Sequence, residues 1–109
     1  MNIELEQEIN QLHAEICAGL ADPKRIMILY ALASKPCNVT ELVEALGISQ
    51  PMVSRHLKLL RDRGMVIATR LGSRVEYRLS DERLIEALDL LRLVLRDHLS
   101  HRADIVAAF

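Results

Sequence analysis

The stretch Val39-Thr-Glu-Leu-Val-Glu-Ala-Leu-Gly-Ile-Ser-Gln-Pro-Met-Val-Ser-Arg-His-Leu-Lys-Leu-Leu-Arg-Asp-Arg-Gly64 decides the fold. Its apolar residues keep helical spacing twice, with a break between. Leu42, Val43 and Leu46 share one face of a short helix over about 39–46, and Val53, Leu57 and Leu60 share one face of the next. Gly47 stands in the break, where glycine enters left-handed backbone at little cost. Ser49 follows as the N-cap of the second helix, and Pro51 is tolerated in the first turn, where the amide it lacks would be unpaired. Gly64 ends that helix. Two short helices joined by a tight glycine turn read as a helix-turn-helix over 39–64. The second helix leaves Gln50, Ser54, Arg55 and Lys58 on its outward face.

Beyond Gly64 the apolar period changes from helical to alternating. Met65 to Arg70 and Arg74 to Leu79 read as strands flanking Leu71-Gly72-Ser73, a β-hairpin wing over 65–79. Val75, Tyr77 and Leu79 share one face of it, and Arg74, Glu76 and Arg78 the other. Ser80 or Asp81 caps a last helix over about 82–104. Its residues Leu84, Leu88, Leu91 and Leu95 repeat at heptad-like spacing, and Ile85, Leu90, Leu93 and Val94 widen the apolar surface. In the other direction, Asp22-Pro23 starts a helix that runs to about Ser34, where Lys35-Pro36 breaks it. Ile26, Leu29 and Leu32 or Ala33 are its inward residues. Ile3 to Leu20 reads as one amphipathic helix with the stripe Leu5, Ile9, Leu12, Ile16 and Leu20, capped by Asn2 and ended by Gly19.

These elements describe a mainly α fold with a small β-hairpin: five helices, a two-stranded wing and one winged helix-turn-helix domain over 1–109. A length of 109 residues suits one domain. Half the residues are hydrophobic but only 3% are aromatic (Tyr30, Tyr77 and Phe109), so the core must be aliphatic. The apolar surfaces of 1–20 and 82–109 are broader than one chain needs, which predicts a homodimer held by the first and last helices.

No apolar run approaches the roughly 18 residues that span a bilayer. Met1 to Glu8 carries three Glu and no basic residue, unlike a signal or transit peptide. Two cysteines, Cys17 and Cys37, are too few for a disulfide framework. The sequence therefore predicts a soluble cytoplasmic protein with no membrane partner.

The net charge of −1 hides an uneven distribution. Residues 1–20 carry four Glu and no Lys or Arg. Residues 50–78 carry Arg55, Lys58, Arg61, Arg63, Arg70, Arg74 and Arg78 against Asp62 and Glu76, a local +5. A local patch matters more for phosphate binding than the total. Reading base edges in a major groove needs donors and acceptors on an exposed helix face. Gln50 suits adenine, Arg55 suits guanine, and Ser54 suits either. Lys58, and Ser49 at the helix N-terminus, suit phosphate. Arg70 and Arg74, at the hairpin tip, suit phosphates or a neighbouring minor groove. Double-stranded DNA is the predicted partner. There is no Gly-rich phosphate loop, nucleophile motif or paired carboxylate, so the sequence predicts neither an enzyme nor a cofactor. The competing reading is a winged-helix module that binds protein through its hairpin. Against it stands the gathering of Gln50, Arg55, Lys58, Arg70 and Arg74 on one side.

Four segments carry a resemblance: Gly19-Leu-Ala-Asp-Pro-Lys-Arg-Ile-Met-Ile-Leu29, Thr40-Glu-Leu-Val-Glu-Ala-Leu-Gly-Ile-Ser-Gln50, Val53-Ser-Arg-His-Leu-Lys-Leu-Leu-Arg-Asp-Arg-Gly64 and Arg70-Leu-Gly-Ser-Arg-Val-Glu-Tyr-Arg-Leu79. Over about residues 19–79 the chain resembles the ArsR/SmtB family of winged-helix repressors, and Ser-Arg-His-Leu together with Asp-Pro-Lys-Arg is the most specific part of the match. The resemblance implies a homodimer held by the first and last helices. It also implies binding to an inverted repeat in a promoter, release by an inducer, and a structural or backbone-facing role for His56.

The inducer is where the resemblance thins. The Cys-Val-Cys pair of the family's arsenic, lead and cadmium sensors falls on Asn38, Val39 and Thr40, with Cys37 one position early and alone. Of the zinc-type site in the last helix, His98 and His101 match the second half, while Ile85 and Ala87 occupy the first and cannot coordinate. The family's persulfide sensors pair a cysteine of the second helix with one of the last; here the second helix carries Tyr30 and the last helix has no cysteine. Two alternatives remain for sensing: His13 and Cys17, completed by a partner's His98 or His101, and a thiol switch using Cys17 and Cys37.

Overall fold

The computed structural model describes residues 1–107; Ala108 and Phe109, the end of the 82–109 segment, lie outside the described residues. Helix α1 spans Ile3–Leu12, its start fixed by Asn2, whose Oδ1 accepts from the amides of Glu4 at 2.6 Å and Leu5 at 3.2 Å. Glu4 and Glu6 add negative charge at the positive end of the helix dipole. The helix then widens into a π-helical turn over His13–Cys17 before closing through Gly19. The sequence predicts a single uninterrupted α-helix here, and the difference coincides with a long-range contact described below. Gly19 ends nothing by a left-handed backbone. It is buried, and a Cβ there would lie 2.6 Å from Met65 Sδ, so its role is close packing.

Helix α2 spans Pro23–Ser34, with Asp22 accepting from the Lys24 amide at 2.8 Å and Pro23 at the first position. Helix α3, Val39–Leu46, opens on a capping box: Asn38 Oδ1 accepts from the Glu41 amide at 2.8 Å, and Glu41 Oε1 accepts from the Asn38 amide at 3.0 Å. Gly47, at φ 64°, makes the predicted left-handed turn into α4, Gln50–Asp62. Ser49 is the N-cap residue of α4, but its hydroxyl makes no capping bond, so it starts the helix by backbone conformation alone and stays exposed.

Strands β1, Val66–Leu71, and β2, Arg74–Leu79, pair antiparallel with Leu71 opposite Arg74. The turn is therefore the two residues Gly72-Ser73, one shorter than the sequence suggests, with Gly72 at φ 66°. A further rung escaped the sequence reading. Cys37, just before α3, exchanges both backbone hydrogen bonds with Tyr77, at 2.9 and 2.8 Å, and so ties the wing to the helix-turn-helix. Helix α5 spans Arg83–Ala107, and Asp81, one of the two candidate caps, accepts from the Arg83 amide at 2.9 Å.

The core is aliphatic. Ile28 and Leu29 of α2, Leu42 of α3, and Val53, Leu57 and Leu60 of α4 are wholly buried, with Met65 beneath them. Leu32 is buried beside them while Ala33 is exposed, which decides between the two. Leu88 is the buried residue of α5. Elsewhere the apolar stripes of the first and last helices are uncovered. Leu5, Ile9 and Leu12 of α1 are exposed, as are Leu90, Leu91, Leu93, Val94 and Leu95 of α5, with Leu91 at 60%. Among the described residues no helix is long and apolar enough to cross a membrane.

Candidate nucleic-acid interface

Helix α4 buries one face and presents the other. Val53, Leu57 and Leu60 lock it into the core, and this fixes the rotation that turns Gln50, Arg55 and Lys58 outward. Gln50 Nε2 donates to Ser54 Oγ at 3.0 Å, which places both groups together on the first turn and a half. Lys58 lies 3.0 Å from Asp62, an exposed ion pair that phosphate can compete with. Arg55, Lys58 and Arg63 line a shallow groove along the helix. At the wing tip, Arg70 and Arg74 are exposed, and Arg70 Nε bonds weakly back to the Gly72 carbonyl at 3.4 Å. Arg74 and Ser73 also border a hollow with Asn38 and Thr40 at the start of α3. All seven residues predicted to touch DNA thus lie on α4 or its N-cap and on the wing. Ser54 is the half-buried one among them.

The seat of α4 agrees with the structural role implied for His56 and adds arginine contacts that the sequence does not mark. His56 is buried on the inner side of the helix, and its Nδ1 lies 3.4 Å from a terminal nitrogen of Arg25. Arg25 reaches the end of the first helix at the same time: its Nε donates to the Gly19 carbonyl at 2.8 Å and its second terminal nitrogen to the Ala18 carbonyl at 3.2 Å. Arg63, at the C-terminal cap of α4, donates to the carbonyls of Ala14 and Glu15 in the π turn. A wider π turn lets carbonyls tilt from the helix axis, and Arg63 supplies the donor that takes them. Two arginines therefore bind the first helix to the recognition helix. Burial holds the His56 imidazole below its usual range. Asp22 pulls it back up, and Arg25, Lys24 and Arg55 push it further down.

The sensing candidates are dispersed. His13 and Cys17 are exposed on the π turn, and His98 and His101 are exposed on the far part of α5. Among the described residues no three His, Cys, Asp or Glu side chains gather as a metal site. Cys37 is buried behind the wing, where burial and the Glu41 carboxylate raise its thiol and Lys35 only partly offsets them. Its Sγ donates to the Lys35 carbonyl at 3.3 Å. A thiol kept protonated in this way is a poor nucleophile. Both cysteines are free, on different elements. Tyr30 makes a contact with no local signal in its spacing: its hydroxyl donates to Asp89 at 2.6 Å, and Arg92 sits 5.2 Å over its ring, pinning α5 to α2.

The sequence profile described as "Bacterial regulatory protein, arsR family" matches residues 22–68, from the cap of α2 into β1. The HTH-type transcriptional regulator NmtR of Mycobacterium tuberculosis is 41% identical over 76 residues, covering 70% of this chain and 63% of that protein. The chain thus spans under two thirds of that relative. The HTH-type transcriptional regulator CmtR of Mycobacterium bovis is 42% identical over 83 residues, 75% of this chain and 70% of that one. Among solved structures, the homodimeric winged helix-turn-helix DNA-binding domain of a possible ArsR-family transcriptional regulator from Mycobacterium bovis superposes with a TM-score of 0.77. It is 29% identical and covers 93% of both chains. The elements, their order and these likenesses agree, and the chain belongs to the arsR family of bacterial regulatory proteins.

Proposed function

We propose that this chain is a transcriptional repressor that binds an inverted-repeat operator as a homodimer and is released by an inducer. The observation that carries the reading is the division of α4. One face is wholly buried through Val53, Leu57 and Leu60, and the other offers Gln50, Arg55 and Lys58 to solvent beside a wing tipped with Arg70 and Arg74. In this role α4 enters the major groove, Gln50 and Arg55 meet base edges, and Lys58, Ser49 and the wing arginines meet phosphates. The uncovered leucines of α1 and α5 support the homodimer, as does the homodimeric state named for the Mycobacterium bovis domain. A two-fold dimer places two α4 helices about one DNA turn apart, which is why an inverted repeat is the expected target. A chromosomal operator places the protein in the cytoplasm.

The test is binding to a duplex from the promoter of its own operon across a salt series, against a scrambled duplex of equal length. The expected result is preference for the promoter, with affinity falling steeply as salt rises because each phosphate contact releases counterions. Equal affinity for both duplexes at every salt concentration overturns the reading.

A further inference from the structure

His56 presents a problem that a structural role alone does not explain. It is only 8% exposed, and its Nε2 is buried with no hydrogen-bond partner among the described residues. A leucine or methionine would fill the same space without an orphaned nitrogen. The other ring nitrogen meets Arg25. Guanidinium has donors and no acceptor, so the contact is a hydrogen bond only if Nδ1 is unprotonated and accepts. The neutral ring must then carry its proton on Nε2, where nothing receives it. Arg25 in turn holds the Ala18 and Gly19 carbonyls at the end of the first helix.

We propose that Arg25 and His56 are positioning residues for operator binding, linked by a hydrogen bond that exists only while His56 is neutral, so that protonation of His56 loosens α4 from the first helix and weakens DNA binding. The proposal rests on the repressor reading above. A proton added at Nδ1 sets N–H against N–H and places a second cation against Arg25. Four charged groups face the ring. From the start of α2 come Asp22, Lys24 and Arg25, and from α4 itself comes Arg55. From the first helix come only the neutral carbonyls that Arg25 holds. Asp22 is the single anion among them. It already lies 3.9 Å from Arg25 and caps α2 through the Lys24 amide, so it does not balance two cations. The protonated ring must move, or Arg25 must release the carbonyls. Either change alters how α4 is set relative to the helix that the homodimer reading places at the dimer interface, and with it the spacing of the two reading heads.

The test is fluorescence anisotropy with the promoter duplex, at constant ionic strength, from about pH 8 to about pH 5, the range in which histidine titrates. Wild type is compared with His56→Asn, whose Oδ1 can accept from Arg25 and which does not titrate. Wild-type affinity is expected to fall on acidification, at a slope of up to about tenfold per pH unit for each protomer. The His56→Asn profile is expected to stay flatter across the same interval. His13, His98 and His101 are present in both proteins, so any effect of theirs cancels in the comparison. A second measurement, nitrogen-detected NMR of the wild-type imidazoles, is expected to show His56 as the Nε2–H tautomer, titrating below the usual histidine range. Superimposable affinity profiles, or an Nδ1–H tautomer, overturn the proposal while leaving the repressor reading intact. Absence of promoter-specific binding at every pH overturns that reading and this proposal with it.

Discussion

In the proposed complex, a guanidinium on the outward face of α4 reaches base edges, whereas one at the hairpin tip meets phosphates. Arg55 and Arg74 are both exposed, so neither is committed to a partner inside the fold. Arg55→Ala should cost about 1–3 kcal/mol at the preferred base and little elsewhere, lowering the ratio of promoter to scrambled binding. Arg74→Ala should weaken both duplexes alike and reduce the slope of log affinity against log salt by about one contact's worth. Parallel salt series on the two variants separate the roles; an equal loss of discrimination in both contradicts them. In the proposed role Lys58 is a phosphate contact, and in the free protein its charge is shared with Asp62 at 3.0 Å. His56, one residue from Arg55, is buried while Arg55 is exposed, because a rotation of about 100° per residue is enough to send neighbours to core and solvent.

At the level of elements, the helix-turn-helix is held together by short-range devices that each act within a few residues. The Asn38–Glu41 capping box satisfies two amides at the start of α3, and Gly47 lets the chain turn out of its end. Asn38→Ala should destabilise the domain by about 1 kcal/mol, read as a lowered urea midpoint with an unchanged slope. A midpoint equal to wild type would show that α3 is set by packing of Leu42 and not by its cap. Devices of this kind are why α2, α3 and α4 could be read from sequence: caps, prolines and glycines are local signals, and the apolar period names the buried face. The parts that could not be read are made by distant residues. The π turn at His13–Cys17 has no sequence mark of its own and is matched by Arg63, some fifty positions later. The Cys37–Tyr77 rung joins a residue between two helices to the middle of β2. Ser49 was legible as the start of α4, but whether its hydroxyl caps depends on a side-chain rotation that spacing does not encode. The same holds for the site: the outward residues of α4 follow from periodicity, while the link from Arg25 to His56 depends on how two helices meet.

At the scale of the molecule, one chain leaves too much apolar surface in water to be the working unit. Leu90, Leu91 and Leu95 are more than half exposed on α5, and Leu5, Ile9 and Leu12 are exposed along α1. Contiguous apolar surface of this extent marks an association face. Its position follows a consistent logic: α4 and the wing are anchored in the core, while α1 and the outer part of α5 project their leucines away from it. A partner covering those leucines would touch the first helix, which Arg25 and Arg63 bind to α4. In the proposed homodimer, dimer geometry and groove geometry would thus be joined through two side chains. Replacing Leu91 and Leu95 together by Glu should produce a monomer, because two buried like charges on each side of a two-fold interface lose their hydration without gaining a partner. Sedimentation should show the mass of one chain, and the far-ultraviolet circular dichroism should stay helical, since the core residues Leu29, Leu57 and Leu60 are untouched. Promoter affinity should fall by about 10²–10⁴, the advantage lost when a second half-site is no longer tethered to the first. A double variant that remains dimeric would place the interface elsewhere than on α5. A monomer that keeps full affinity would mean that a single α4 and wing are sufficient for recognition, and the inverted repeat would then lose its physical basis.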